Sequence, residues 1–202
     1  MRTILIIGGV AGGASTAARL RRLDENVQII ILERSGYISY ANCGLPYYIG
    51  DVITDRDNLL VSTAAAMQAR FRIEVRVRHE ALAIDPAART VVVRDHAAGT
   101  EYTQVYDELV LSPGAAPIVP PIPGGDHPGI FTLRTVEDTD RIRSFVDQQQ
   151  PQRALVIGGG FIGLEMAENL VRRGAQVTIV ELAPQILPPF DADMAAYGQR
   201  HL

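Results

Sequence analysis

One arrangement of residues occurs twice in this chain and constrains its fold more than any other feature. A short apolar run leads into a glycine-rich turn, a helical segment follows, and a second apolar run ends at a glutamate. The first copy runs from Thr3 to Glu33 and the second from Ala154 to Glu181. Continuous apolar runs are typical of strands buried on both faces of a parallel sheet. The repeat therefore predicts an α/β chain with two Rossmann-like units.

The residues between the two copies predict a different structure. Short alternating segments within 71–104 predict one further sheet strand and a small antiparallel β-meander, and 109–111 predicts another buried strand. Because 115–125 is rich in Pro and Gly, it predicts a linker. We expect the first part of one domain at 1–114 and an incomplete second domain at 126–202, since one strand–helix–strand unit cannot complete a doubly wound sheet.

The helix of the first copy shows an amphipathic pattern. Leu20 and Leu23 are predicted to face the core, and Arg19 and Arg22 are predicted to face solvent. After the second strand of this copy, Asn42 is a favourable N-cap residue, so a helical turn is predicted to begin there.

The second glycine-rich turn has the G-x-G-x-x-G spacing of dinucleotide-binding sites. Its first glycine makes the tight turn, its second lets the backbone approach a pyrophosphate, and its third lets the helix pack closely on the strand. An acid at the end of the next strand can accept hydrogen bonds from ribose hydroxyls, which favours NADH over NADPH. We predict that the dinucleotide is bound by Gly158, Gly160, Phe161, Ile162, Gly163 and Glu181.

The first glycine-rich turn departs from that spacing. Gly8 and Gly13 match the first and third glycines, but Val10 takes the middle position. Gly12 offers a second place for close backbone approach, and Glu33 again ends the next strand. Two such turns in one short chain predict an enzyme that binds two nucleotides. The usual order in such enzymes would place a flavin in the first unit and a nicotinamide in the second.

The chain contains a single cysteine, Cys43. One cysteine excludes an internal disulfide and an intrachain dithiol pair. A lone cysteine is most often a small buried apolar residue. In the first turn of a helix, however, free N–H groups favour the thiolate, which is the nucleophile in thiol–disulfide exchange. All 19 Lys and Arg residues are Arg, so a lysine Schiff base is excluded as well.

Composition argues against several classes of partner. The net charge of −4 disfavours nucleic acid, and no apolar run approaches the roughly 20 residues of a membrane span. The apolar N-terminus continues into the glycine-rich turn without a cleavage site, so no signal peptide is predicted and a cytoplasmic location is expected. No metal site is expected, because metal-ligand spacing is absent from the four histidines, which we place in loops and at the surface: His79, His96, His127 and His201.

Three segments resemble single-cysteine pyridine nucleotide-disulfide oxidoreductases: residues 8–13 (Gly-Gly-Val-Ala-Gly-Gly), 39–47 (Ser-Tyr-Ala-Asn-Cys-Gly-Leu-Pro-Tyr) and 111–115 (Leu-Ser-Pro-Gly-Ala). The resemblance is nearest to coenzyme A disulfide reductases and NADH-dependent persulfide reductases. It implies FAD, NADH or NADPH, and bound coenzyme A. Cys43 would cycle between a thiolate and a mixed disulfide with coenzyme A, and the substrate would be coenzyme A disulfide, a persulfide or a polysulfide.

The resemblance also implies roles for particular residues. Cys43 would be catalytic, and Glu165 would face the junction of flavin and nicotinamide. The coenzyme A channel would be lined by Ser15, Arg19, Arg22, Ser39 and Asn42, with the arginines on phosphates. FAD would be bound by Gly8, Val10, Ala11, Gly12, Gly13, Glu33, Arg34, Asn42, Ala81, Ser112, Gly114 and Arg134. An ordinary solvated helix face is the alternative interpretation of the arginines, and a surface acid that of Glu165.

Two other functions stay open. In an NADH oxidase or peroxidase the cysteine would cycle through a sulfenic acid, but such relatives carry a histidine where this chain has Ala11. Alternatively, the chain is an inactive nucleotide-binding fragment, since the later flavin-contacting segment and the C-terminal dimerisation domain of the resembling reductases are not found. We expect the full-length protein to be a homodimer and residues 1–202 alone to bind FAD weakly and not turn over.

Overall fold

The computed structural model describes residues 1–200. The helices are α1 (Ala11–Leu23), α2 (Leu45–Ile49), α3 (Ala64–Phe71), α4 (Val136–Gln149), α5 (Phe161–Arg172) and α6 (Ala192–Gln199). The strands are β1 (Thr3–Ile7), β2 (Gln28–Glu33), β3 (Glu74–Val77), β4 (His79–Asp85), β5 (Thr90–Asp95), β6 (Thr100–Val105), β7 (Glu108–Leu111), β8 (Arg153–Ile157) and β9 (Gln176–Val180). Short 3₁₀ turns span Asn42–Gly44 and Arg56–Leu59.

Contacts divide the chain into two compact units. The first comprises Met1–Ala41 and Leu60–Pro117, and the second comprises Asn42–Leu59 and the described residues from Ile118 onward. The predicted linear boundaries at 114 and 126 do not anticipate this grouping, because they leave the segment that carries Cys43 within the first domain. Those boundaries stay a prediction, and each unit is described below by itself.

The first unit is built on a four-stranded parallel sheet in the order β3-β2-β1-β7. Successive side chains of β1 point to opposite faces of this sheet. Ile4 and Ile6 pack in a core with Ala17 of α1 and Met67 of α3. Leu5 packs in a second core on the other side. The sheet is therefore covered on both faces, which explains the continuous apolar runs of β1 and β2.

The second face of this sheet is covered by the antiparallel meander β4-β5-β6. Val91 and Val93 of β5 are fully buried, and they pack in one core with Leu5 of β1 and with Ile30 and Leu32 of β2. Both the parallel sheet and the meander were predicted, so the fold class is confirmed. His79 was predicted in a loop, but it begins β4, where its ring stacks edge-on with Tyr102. His201 lies outside the described residues.

The end of α1 differs from the prediction. Leu20 packs on the core as expected, but Leu23 is 64% exposed, since the helix ends there. Arg21 is buried instead. Its guanidinium donates hydrogen bonds to the backbone carbonyls of Asp24, Glu25, Val27, Phe71 and Arg72. These bonds satisfy the buried charge without a carboxylate.

The second unit contains the predicted strand–helix–strand pattern, with β8 and β9 parallel and α5 between them in sequence. Its core joins Ile49 of α2 to residues of α4 and α5, including Ile142, Met166 and Leu170. Helix α4 was not predicted. Its start is fixed by a capping box, in which Thr135 and Asp138 bond each other's backbone N–H groups. Within residues 1–200, no helix is long and apolar enough to cross a membrane.

Candidate nucleotide and thiol sites

The first glycine-rich turn requires glycine at two positions. Gly8 has a φ of 97°, and a Cβ there would lie 2.0 Å from the carbonyl oxygen of Ser112. A Cβ on Gly13 would lie 1.8 Å from the carbonyl oxygen of Gly8. No side chain fits at either place, so the helix and β7 approach this turn as closely as backbone allows.

Helix α1 begins at Ala11, directly after Val10. The N–H groups of Ala11, Gly12 and Gly13 precede the first intrahelical bond, which runs from Ala14 to the Val10 carbonyl. Such groups at a helix N-terminus favour anions. The residues present therefore fit the pyrophosphate of a dinucleotide such as FAD, although Val10 replaces the middle glycine of the usual spacing.

Glu33 links β2 to this turn. Its carboxylate accepts hydrogen bonds from the N–H groups of Gly9 and Ser35, each at 2.8 Å. The side chain is buried, with 9% of the residue exposed. Glu33 was predicted to bind a ribose, and that role stays a prediction. Its structural role in holding the turn was not predicted.

Other predicted residues of the first unit lie around the same turn. The N–H of Ser39 donates to the Gly9 carbonyl at 3.0 Å, and Ser39 has a φ of 45°. The N–H of Ser112 donates to the carbonyl of Ile7 at 2.8 Å, and its hydroxyl lies 3.1 Å from the position of a Cβ on Gly12. Ser39 and Ser112 are therefore brought to the turn by backbone contacts.

The remaining predicted residues of the first unit lie further along the chain. Arg34 is exposed and lies 3.7 Å from the carboxylate of Glu80. Ala81 pairs with Val93 in the meander, next to an irregularity in the register. Gly114 follows β7 with a φ of 71°. The structure does not connect these three residues to the glycine-rich turn by any hydrogen bond it describes.

An exposed basic face runs along α1. Ser15, Arg19 and Arg22 occupy positions i, i+4 and i+7, and all three are exposed. This spacing places them on one side of the helix. The geometry is the one predicted, while coenzyme A binding by these residues stays a prediction.

The second turn repeats the local geometry of the first. Gly158 has a φ of 109°, and a Cβ on Gly163 would lie 1.9 Å from the carbonyl oxygen of Gly158. The Glu181 carboxylate accepts hydrogen bonds from the N–H groups of Ala183 at 2.8 Å and Gly159 at 2.6 Å. These backbone bonds hold the pKa of Glu181 below its ordinary value.

The N-terminus of α5 is open to a ligand. Gly160 is its N-cap, and a Cβ on Gly160 would have no atom within 4 Å. Phe161 and Ile162 are each 54% exposed. The first intrahelical bond runs from the N–H of Leu164, so earlier N–H groups point beyond the helix. The second turn therefore also fits a pyrophosphate, with more room at the middle glycine than the first.

Cys43 is exposed and lies in the 3₁₀ turn that directly precedes α2. A helical turn begins at Asn42 as predicted, but it is a 3₁₀ turn that contains Asn42, and Asn42 does not cap α2. Because the rest of this turn lies between Asn42 and α2, the N-cap of α2 is Gly44, which has no side chain to accept a hydrogen bond. The Asn42 side-chain oxygen is buried without a hydrogen-bond partner in the structure. Asn42 therefore keeps an acceptor free beside the cysteine.

A tyrosine near Cys43 was not singled out from the sequence. Burial raises the pKa of Tyr47, and the negative charges of Glu165, Glu168 and Cys43 raise it further. Glu165, predicted to face the flavin–nicotinamide junction, therefore lies near enough for its charge to act on the Tyr47 hydroxyl. Arg134, predicted near FAD, donates its N–H to Asp138 at the start of α4. In sequence, the signals for Tyr47 were its place at the end of the segment 39–47 that carries the resemblance and its spacing of four residues from Cys43.

The comparison with known families accounts for both units. Residues 2–202 match the family described as pyridine nucleotide-disulphide oxidoreductase. The chain belongs to this family. It is 42% identical over 194 residues to coenzyme A disulfide reductase of Staphylococcus haemolyticus, covering 96% of this chain and 43% of that protein.

Two solved structures are similar over nearly the whole chain. The reduced CoADR-RHD protein of Bacillus anthracis has a TM-score of 0.97 and 54% identity, covering 99% of this chain and 36% of that one. The NAD-dependent persulfide reductase of A. fulgidus has a TM-score of 0.93 and 35% identity, covering 99% of this chain and 38% of that one. The chain thus spans less than half the length of each of these three relatives.

Proposed function

We propose that the chain belongs to an FAD-dependent NAD(P)H:disulfide oxidoreductase that uses Cys43 to reduce coenzyme A disulfide, a persulfide or a polysulfide. The observation that carries the proposal is an exposed thiol, the only one in the chain, in a protein with two turns that fit dinucleotides. The similarity to a coenzyme A disulfide reductase and a persulfide reductase supports it.

The first unit would hold FAD. The N–H groups at the start of α1 would bind its pyrophosphate, and Glu33 would accept from its ribose while still holding the turn. When bound, FAD would supply two-electron chemistry between NAD(P)H and sulfur. The second unit would hold the nicotinamide dinucleotide on the turn 158–163. The acid Glu181 at its ribose end makes NADH the better substrate, because a carboxylate repels a 2′-phosphate.

Cys43 would carry out the sulfur chemistry. Its thiolate attacks one sulfur of the disulfide, the S–S bond breaks, and one thiol leaves after taking up a proton. The mixed disulfide that forms on Cys43 then takes two electrons, which originate from NAD(P)H, and releases the second thiol with a second proton. The balance is one disulfide, one NAD(P)H and one proton consumed, and two thiols and one NAD(P)⁺ formed.

The exposed face of α1 would bind the substrate's nucleotide end. Arg19 and Arg22 can grip phosphate oxygens with paired N–H groups, and Ser15 can add a hydroxyl donor. Ser39 and Asn42 flank the cysteine in sequence and would contact the pantetheine end. The homodimer and the cytoplasmic location remain predictions from the family resemblance and from composition.

Anaerobic turnover of the full-length protein tests the proposal. With NADH as donor, we expect coenzyme A disulfide or polysulfide to be reduced and Cys43→Ser to abolish the reaction. Faster NADH oxidation by oxygen or peroxide than by these sulfur compounds would favour the oxidase alternative. Full disulfide reduction by Cys43→Ser would contradict the role of the cysteine.

A further inference from the structure

The helix next to Cys43 is too short to be stable by itself. α2 has five residues, and isolated helices of such length do not persist in water. The last carbonyl groups of any helix also lack intrahelical partners. The position of α2, and of the turn 42–44 that precedes it, therefore depends on the groups that contact its C-terminal end.

Two arginines contact that end. Arg143 of α4 donates to the carbonyl of Tyr48 and, at 2.7 Å, to the carboxylate of Asp51. Its guanidinium also lies 4.2 Å from the centre of the Tyr48 ring. Arg173, the C-cap residue of α5, donates to the carbonyl of Ile49 at 3.0 Å. Both cations thus lie where the helix dipole favours positive charge.

Asp147 of α4 joins the two arginines. Its carboxylate accepts a hydrogen bond from Arg173 and lies 3.6 Å from Nε of Arg143. The side chains of Arg143 and Arg173 are only 18% and 21% exposed. Solvent and salt therefore screen the bonds from these guanidinium groups to the α2 carbonyls less than a surface ion pair, whereas the Asp147 side chain is 44% exposed. We call Arg143, Asp147 and Arg173 the arginine clamp.

Apolar packing limits how the clamped end can move. Ile49 is fully buried in the core shared with α4 and α5. At the next residue, a Cβ on Gly50 would lie 1.8 Å from the side-chain oxygen of Asn169. The Asn169 side chain of α5 therefore packs directly against the backbone at the end of α2, in addition to the hydrogen bond from Arg173.

We propose that the arginine clamp positions Cys43 for thiol exchange, which makes Arg143 and Arg173 positioning residues. The proposal rests on the function proposed for Cys43. A nucleophile displaced by about 1 Å can lose about 10²-fold in rate, and Cys43 is separated from α2 only by Gly44. The residues of the clamp are distant from the cysteine in sequence, and they act on it through the backbone of α2.

Substitution of Arg173 in the full-length protein tests the clamp. In Arg173→Gln we expect kcat for disulfide reduction to fall about tenfold, while the rate of FAD reduction by NADH in stopped flow stays as in wild type. Arg173→Lys should recover part of kcat, since an ammonium group can reach one acceptor but not both. Arg172→Gln is the matched control, because Arg172 is the exposed neighbour in the last turn of α5.

Amide hydrogen exchange tests whether the arginine clamp holds α2 in place, independently of disulfide reduction. Peptides covering 43–53 should exchange about fivefold faster in Arg173→Gln than in wild type or Arg172→Gln, and this readout holds even if wild type reduces no disulfide. Unchanged exchange and unchanged kcat would overturn the proposal, as would equal losses in FAD reduction and disulfide reduction. If Arg173→Gln does not fold, the nearly isosteric Asp147→Asn decides by the same two measurements, with smaller changes expected.

Discussion

The two glycine-rich turns share one local plan but differ in their surroundings. In both, the third glycine lets the helix approach so closely that a Cβ would lie within 1.9 Å of the first glycine's carbonyl oxygen. In both, the N–H group of the residue after the first glycine donates to a glutamate at the end of the neighbouring strand. The contact between helix and turn is therefore a property of the strand–turn–helix unit itself.

The surroundings differ at the first glycine and at the strand before it. A Cβ on Gly8 would overlap Ser112, because β7 lies beside β1, whereas a Cβ on Gly158 would have no atom within 4 Å among the described residues. Leu5 of β1 is fully buried, but Leu155, its counterpart in β8, is 61% exposed. Local geometry thus recurs in both units, while burial depends on which strands and layers lie beside each turn.

The largest expected effect tests this difference. In the 202-residue chain, Gly8→Ala should cost about 2–6 kcal/mol, since backbone strain and overlap with Ser112 add. Gly158→Ala should cost about 1–3 kcal/mol, from strain alone. Hydrogen exchange of peptides covering β1 and β8 measures each loss in its own unit. Equal losses would show that the contact with Ser112 relaxes and does not distinguish the two turns.

A second prediction tests what the turns share. Gly13→Ala and Gly163→Ala should each cost about 1–3 kcal/mol in the unit concerned, because each Cβ meets a carbonyl oxygen that cannot move without opening the turn. The same exchange measurement applies. A loss in one unit only would show that the local plan is not common to both.

Sequence reasoning identified these turns because their constraints are local. Both strand–turn–helix–strand copies, their glycine-rich turns and the meander were predicted in the order in which the structure has them. The capping box at Thr135, with Asp138 three residues later, was a readable signal for α4 that was not used.

Other features could not be read from sequence. Arg21, Arg143 and Arg173 each bind at least one backbone carbonyl that lies far away along the chain. A carbonyl is present at every residue, so such contacts leave no residue-type pattern. For the same reason, the grouping of Asn42–Leu59 with the second unit required the three-dimensional structure.

A smaller effect is expected at the middle position of the second turn. Gly160 has a φ of −78°, which suits any residue, and open space where a Cβ would lie. Gly160→Ala should leave stability unchanged but weaken NADH binding about tenfold, or about 1.4 kcal/mol, by blocking approach of the pyrophosphate. Calorimetric titration of the full-length protein measures this. Val10→Gly makes the opposite change at the equivalent position of the first turn, and it should not weaken FAD binding. Normal NADH affinity in Gly160→Ala would exclude the proposed contact.

The smallest effect concerns the acid that holds the second turn. Hydrogen bonds from Ala183 and Gly159 lower the pKa of Glu181 in the folded chain below its ordinary value of 4.5. The stabilisation is therefore fully present above that value and is lost as pH falls through the lower folded pKa. Exchange of peptides covering β8 and β9, measured from about pH 6 to about pH 3 and corrected for intrinsic rates, should reveal this loss in wild type.

Glu181→Gln should flatten that pH dependence, because an amide does not titrate and its NH₂ group cannot accept the second N–H bond. Glu168→Gln, at an exposed position of α5 in the same unit, should retain it. If the pH dependence survives in Glu181→Gln, then the two backbone bonds do not stabilise the turn through the carboxylate charge. The likeness of the second turn to the first would then lie in shape alone, set by the third glycine and not by the acid.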